Sequence, residues 1–152
     1  MGPREDFMHF VVAQCRALYR EPDILAHYSN PDRLAHLEEE PWALAVAKTH
    51  VRKGGHILAV GCGAGTEAFW YVEAGYSVTG VDVVPELVEI ARGRARKKGV
   101  AERVRFEIVD GYTWPLKDES CDGVSLMQNF LVYLPSKAIS PSCAVEVAIR
   151  PV

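Results

Sequence analysis

An α/β fold is predicted, a mostly parallel sheet with helices on both faces, and three observations carry it. Short apolar runs at 57–60, 77–81, 104–108 and 121–127 alternate with segments of helical periodicity. Strands alternating with helices imply parallel pairing through right-handed crossovers. A glycine-dense turn, Gly61-Cys62-Gly63-Ala64-Gly65, follows the first run and opens a helix, and the second run ends on a single acid, Asp82. A strand, glycine turn, helix, strand and acid in that order present a nucleotide-like ligand to a helix N-terminus and its ribose to a carboxylate.

The N-terminal third reads as helical. Phe7, Phe10, Val11, Cys15 and Leu18 fall at helical spacing over 6–19, and Pro22 ends that helix. A second helix is expected from Asn30-Pro31-Asp32, with Asn30 as N-cap and Pro31 at the first helical position. A third begins at Pro41, carries Trp42, Ala45, Val46 and Thr49 on one face, and stops before Gly54-Gly55. Residues 1–50 are thus a helical preamble to a core at 56–135, all within one domain spanning 1–152.

Within the core, Ile57 to Val60 is the first strand, and Ala68, Phe69 and Val72 mark the helix after the turn, closed by Gly75. Ser77 to Val81 is the second strand. Pro85 starts a helix with the stripe Val84, Leu87, Val88, Ala91 and Ala95, ending at Gly99. Its basic run, Arg92 to Lys98, suits a solvated helix C-terminus, where cations are favoured by the macrodipole. Val104, Phe106 and Ile108 alternate as a third strand that ends at Asp110-Gly111. A loop from Tyr112 to Ser120 leads to a fourth strand, Cys121 to Met127, followed by Gln128-Asn129-Phe130.

Composition narrows the class. Hydrophobic residues at 49% and charged residues at 24% are globular values, and 152 residues suffice for one core. A net charge of −3 offers no basic face for phosphates, so nucleic acid is not an expected partner. Cys15, Cys62, Cys121 and Cys143 are widely spaced without a C-x-x-C, so reduced thiols are expected and a metal site is not. With no run of membrane length and no leader pattern, the expected location is cytoplasmic.

The glycine spacing decides between nucleotides. Position 66 is Thr and the third glycine is Gly65, so the pattern is G-x-G-x-G, not the dinucleotide G-x-G-x-x-G. With Ala59-Val60 before it and Val81-Asp82 after it, the stretch resembles motif I and the following acid of the class I S-adenosylmethionine-dependent methyltransferases, which are Rossmann-like. The resemblance covers about His56 to Pro135, and everything it implies is an expectation. Gly61, Cys62, Gly63 and Gly65 would line the methionine and ribose part of S-adenosylmethionine, and Asp82, with Val83 beside it, would bind the ribose hydroxyls. Asp110, Gly111 and Tyr112 would meet the adenine. The stretch Asp122 to Asn129 resembles motif IV, with Gln128 and Asn129 at the cofactor. Asp122 itself stands at a strand start, on the opposite end of the sheet.

Three departures qualify the match. Ala59 stands where the family commonly carries an acid, and Gln128-Asn129-Phe130 replaces the Asn/Asp-Pro-Pro-Tyr of adenine-N6 methylases. The second departure, with the acidic charge, favours a small-molecule acceptor with an O, N or S nucleophile. Residues 136–152 form an atypical end in which the usual last strands are missing, and Ser140 to Val147 reads poorly as a helix. Ala144 to Ile149 is apolar enough to form a strand. The fourth strand is therefore expected either to pair with that segment folded back or to expose an edge through which two chains form a homodimer or higher assembly, and the assembly is favoured because so little sequence remains to cover the edge.

Methyl transfer from a sulfonium needs positioning above all, and a base only for protonated nucleophiles. No catalytic residue is assigned. Tyr28, His36 and Tyr133 are candidate substrate residues, with His27, His36 and Tyr133 as candidate bases. The preamble bearing His27, Tyr28 and His36 is either a lid over the cofactor or a cover for the sheet. Cys62 reads as a packing residue. The rival function is a cofactor-binding module without catalysis, and an NAD-dependent dehydrogenase is disfavoured by Thr66.

Overall fold

The computed structural model describes residues 3–32, 42–111, 120–126 and 145–146. In chain order these give α1 (Pro3–Arg20), α2 (Pro22–Ser29), α3 (Trp42–His50), β1 (His56–Val60), α4 (Thr66–Glu73), β2 (Ser77–Asp82), α5 (Pro85–Lys98), β3 (Val104–Ile108), β4 (Gly123–Leu126) and β5 (Val145–Glu146). The sheet has the order β3-β2-β1-β4-β5, and every neighbouring pair is parallel. The order reverses between β1 and β4, so the crevice where open α/β sheets bind ligands opens at the carboxyl end of β1, with β4 on one side and β2 on the other.

The pleat sorts the core into two clusters. Ile57, Ala59, Val78, Val104 and Phe106 join Ala43, Leu44 and Ala47 of α3, Ala68, Phe69 and Val72 of α4, and Val88, Ala91 and Ala95 of α5. Leu58, Val60, Val81 and Leu126 belong to the other cluster, with Val12 of α1, Val84 at the N-cap of α5 and Leu87 within it. Alternating strand residues point to opposite faces, which is why the sets interleave along β1. One buried polar pair crosses the first cluster, Tyr71 hydroxyl to Ser125 Oγ at 2.8 Å.

Several expected elements shift. Pro22 does not merely end α1; it is the first residue of α2, where its fixed φ and missing N–H suit a helix start. Asn30 closes α2 and its Oδ1 accepts the Asp32 N–H at 2.9 Å in a turn, while the helix expected to follow would fall on residues 33–41, outside the described residues. The stripe on α1 is rotated: Phe10 and Leu18 are 60% and 52% exposed, while Val12 is buried and Cys15 and Tyr19 pack beside it. On α3 the buried residues are Ala43, Leu44 and Ala47, and Thr49 is exposed. Ile108, expected inside with Val104 and Phe106, is 40% exposed at the end of the edge strand β3. The outer edge of β4 is not open at Val124 and Ser125, which pair with Val145 and Glu146 in the fold-back arrangement.

The basic run of α5 is not simply solvated. Arg92 donates from Nε and Nη2 to the Phe106 carbonyl at 2.9 and 2.7 Å, and Lys98 donates to Glu73 at 2.9 Å. Arg94 reaches the Ala64 carbonyl at 2.8 Å. These cations tie α5 to β3, to α4 and to the glycine turn.

Candidate functional site

The turn after β1 is built on backbone angles that side chains resist. Gly61, Gly63 and Gly65 have φ of 69°, 53° and 86°, in the left-handed region where a Cβ is strained. The Gly61 and Cys62 N–H groups both donate to the Val81 carbonyl, at 2.9 and 3.0 Å, which folds the turn back onto the end of β2. Gly65 N–H then donates to the Cys62 carbonyl at 2.9 Å, and Gly65 stands as N-cap of α4.

The glycines differ in what surrounds them. A Cβ on Gly65 would lie 2.8 Å from Phe106 and 3.1 Å from Phe69, so the core demands glycine there. A Cβ on Gly63 would meet nothing nearer than Leu87 Cδ1 at 4.0 Å. Gly63 therefore faces room at the mouth of the site, the kind of cradle that an added side chain would fill. Gly80, which the sequence did not single out, is a second close approach beside the turn. Its Cβ would lie 2.6 Å from Phe106 and 3.0 Å from Cys62 Sγ. Cys62 is buried in this packing and its thiol is held well above the usual range by burial first, then by the charge of Asp82. That is the environment of a packing residue, not a nucleophile.

Asp82 ends β2 beside the turn and is 8% exposed. Its Oδ2 accepts the Gly63 N–H at 2.8 Å and its Oδ1 accepts the Val84 N–H at 2.9 Å. Burial raises its pKa above the carboxylate range, and the hydrogen bonds to Val84, Gly63 and Val83 oppose that without overcoming it. An ionised carboxylate has about four acceptor sites, so the Gly63, Val84 and Val83 N–H groups still leave capacity for a ribose hydroxyl. Open space at Gly63 and a fixed, buried carboxylate alongside it fit the ribose and methionine portions of S-adenosylmethionine.

The second acid comes to the same edge. Ile108 is the register partner of Asp82, and Val109 N–H continues the pairing to the Asp82 carbonyl at 2.9 Å. Asp110 follows directly and is exposed, with Gly111 buried behind it at φ 91°. Tyr112, Gln128, Asn129, His36 and Tyr133 lie outside the described residues. Asp122 stays at the opposite end of the sheet. Its carboxylate accepts Arg52 Nε and the His56 N–H, each at 2.7 Å, and those two donors hold it below the usual carboxylate range. Its place in a motif IV stretch is therefore structural, pinning the start of β4 to the start of β1.

The preamble reaches the site edge. Arg16 Nε donates to the Val83 carbonyl at 2.7 Å, and Arg20 Nε bonds Glu86 at 2.5 Å. The Val83 side chain is buried in the second cluster. Cys15 and Tyr19 both feel the charge of Asp82. Tyr19 meets Tyr28 edge to face with centroids 5.0 Å apart, and burial followed by the Tyr28 hydroxyl pushes Tyr19 up to about 12. Tyr28 also stacks edge to face on His27 at 5.1 Å. Leu25 and Tyr28 of α2 pack against the second cluster, and Cys15 and Tyr19 of α1 lie within the influence of Asp82. Among the described residues no group of three or more His, Cys, Asp or Glu is placed to hold a metal ion.

Reading the sequence missed Arg16, Tyr19, Gly80 and Arg94. Gly80 lies inside a strand pattern, where an isolated glycine signals a close approach. Nothing in the sequence distinguishes Arg94 from its basic neighbours.

Known proteins share this fold. A family model described as a methyltransferase domain matches residues 57–145. Methyltransferase GfsG of Streptomyces halstedii is 29% identical over 126 residues, covering 80% of this chain and 45% of that protein. The 27-O-demethylrifamycin SV methyltransferase of Amycolatopsis mediterranei is 35% identical over 88 residues, covering 57% and 32%. A solved S-adenosylmethionine-dependent methyltransferase from Thiobacillus denitrificans, in complex with S-adenosyl-L-homocysteine, matches with a TM-score of 0.52 over 81% of this chain and 54% of that one. At 21% identity that likeness concerns the fold alone. The chain spans less than half the length of these two curated relatives.

Proposed function

The chain belongs to the class I S-adenosylmethionine-dependent methyltransferases, and from that premise we propose that it binds S-adenosylmethionine at the carboxyl ends of β1 and β2 and methylates a small-molecule acceptor. One observation carries the proposal: the left-handed turn Gly61 to Gly65 opens beside a buried Asp82 whose carboxylate is already oriented by the Gly63 N–H. In this reading Gly61, Cys62, Gly63 and Gly65 border the methionine and ribose, Asp82 takes the ribose hydroxyls, and Asp110 with Gly111 and Tyr112 borders the adenine. Gln128 and Asn129 would stand where acceptor and sulfonium meet.

When bound, S-adenosylmethionine supplies a methyl carbon with a good leaving group already attached. The chain's contribution is then to hold the partners in line, which can be equivalent to effective molarities on the order of 10⁵ M. A hydroxyl acceptor is proposed ahead of an amine or thiol, because one relative is named for methylation at an oxygen. A hydroxyl must lose its proton, and Tyr28, His36 and Tyr133 remain the proposed residues on the acceptor side.

Nucleic acid is disfavoured as acceptor by the net charge of −3 and by the engagement of Arg92, Arg94 and Lys98 within the protein. Among the described residues no helix is long and apolar enough to cross a membrane. A cytoplasmic location is proposed. Calorimetry against S-adenosylhomocysteine and NAD tests the cofactor, and a methylation screen over alcohols, amines and thiols tests the reaction. Binding of S-adenosylhomocysteine with alcohol methylation is the expected result. Binding without turnover of any acceptor would favour a non-catalytic binding module, and binding of NAD alone would overturn the cofactor.

A further inference from the structure

The backbone of the glycine turn is held from two sides by one helix. At the start of α5, the Val84 N–H donates to Asp82 Oδ1, and Oδ2 of the same carboxylate takes the Gly63 N–H. In the body of α5, Arg94 Nη1 donates to the Ala64 carbonyl at 2.8 Å and to Thr66 Oγ1 at 3.2 Å. Its guanidinium also lies 5.1 Å from the centre of the Phe69 ring. The Ala64–Gly65 peptide is thereby held at both ends, its carbonyl by Arg94 and its N–H by the Cys62 carbonyl.

We infer that Arg94 is a positioning residue of the cofactor site: its guanidinium fixes the Ala64–Gly65 peptide, and so the orientation of the glycine turn toward its ligand. Glycines at φ of 53° and 86° can also adopt other conformations, so the turn needs an external restraint to stay in one. A charged donor on a carbonyl is stronger than a neutral one, and burial against Phe69 shields it from water. Nη1 serves Ala64 and Thr66 while the guanidinium plane lies near the Phe69 ring, a planar arrangement that the compact, more strongly hydrated ammonium of lysine does not reproduce. Arg94 touches no reacting atom in this scheme and acts only through the turn.

The inference rests on the S-adenosylmethionine reading, and the test separates the two. Arg92 is the control, because it sits on the same helix and also bonds a backbone carbonyl, that of Phe106 on β3. Arg94→Gln and Arg92→Gln are compared with the parent chain in thermal melting, S-adenosylhomocysteine calorimetry and amide hydrogen exchange at Gly63 and Gly65 without ligand. Both variants should melt lower. Only Arg94→Gln should raise the dissociation constant, by about 10-fold or more, and speed exchange at Gly65. Arg94→Lys should recover part of the melting temperature and little of the affinity. Unchanged exchange at Gly65 in Arg94→Gln, or equal affinity losses in Arg92→Gln and Arg94→Gln, would overturn the inference. If Arg94→Gln does not fold, Thr66→Val, which removes one of the two acceptors, is read by the same exchange and affinity criteria. A parent chain that binds no S-adenosylhomocysteine would overturn the cofactor reading, while exchange at Gly65 would still decide whether Arg94 holds the turn.

Discussion

The Gly63 N–H donates to Asp82 Oδ2 at 2.8 Å, across 19 residues of sequence. This bond makes Asp82 part of the turn as well as a candidate ligand for it, so mutations of the acid have two separable effects. Asp82→Asn keeps the size but turns one accepting oxygen into an NH2 that cannot accept the Gly63 or Val84 N–H it faces, so besides costing some stability it should weaken S-adenosylhomocysteine binding by about 10- to 100-fold, equivalent to about 1–3 kcal/mol. Asp82→Ala should also lower stability, by about 1–3 kcal/mol, because the Gly63 and Val84 N–H groups lose their acceptors. Calorimetry and thermal melting of both variants check this, and an Asp82→Asn affinity equal to the parent's would remove Asp82 from the site. Burial raises the pKa of Asp82, so affinity should begin to fall at a higher pH on acidification than an ordinary carboxylate would give.

Two glycine substitutions should fail in opposite ways. Gly63→Val meets no crowded core, so most helix and strand content should survive in circular dichroism while cofactor binding is lost. Gly80→Ala instead places a methyl 2.6 Å from Phe106 and should cost about 1–3 kcal/mol by urea denaturation. Adding Phe106→Leu should recover part of that loss by vacating the space. Retained affinity in a folded Gly63→Val chain would put the ligand elsewhere.

His56 should make stability pH-dependent. Its Nδ1 and Nε2 lie 2.9 and 3.0 Å from Ser77 Oγ and Thr79 Oγ1, and burial, then Arg105, lowers its pKa, against an opposing pull from Asp122. The unfolded chain therefore binds a proton at a pH where folded His56 does not. Its contribution is complete above about 6.5 and is lost as pH falls through that value toward the folded pKa. The urea midpoint should drop between pH 7.5 and 5.5, and His56→Gln should flatten that drop.

The outer edge of β4 has two possible partners, β5 of the same chain and a strand of a second copy. Pairing of Val124 and Ser125 with Val145 and Glu146 predicts a monomer at micromolar concentration with slow amide exchange at 124–126. Light scattering with hydrogen exchange measures both. A mass that doubles with concentration would show that a second chain takes the edge.

What the sequence determined by itself was the order of the core and the position of the candidate site. Alternating apolar runs, Gly75, Gly99 and Pro85 marked β1 through β3 with the helices between them, and the G-x-G-x-G turn with Asp82 marked the candidate site, because these signals are local backbone preferences. Tertiary structure alone decided which face each helix buries. Phe10 and Val12 are both apolar, yet only Val12 meets the cluster around Val83 and Val84, since a helix rich in apolar residues offers several stripes and its packing partner selects one. The same holds for the arginines. Arg92, Arg94 and Arg16 read alike as surface charge, and each becomes a backbone clamp only because folding brings the carbonyls of Phe106, Ala64 and Val83 within reach of a guanidinium. Pairing across 14, 30 and 67 residues leaves no periodicity to read, so these contacts, and the partner of β4, had to await the folded chain.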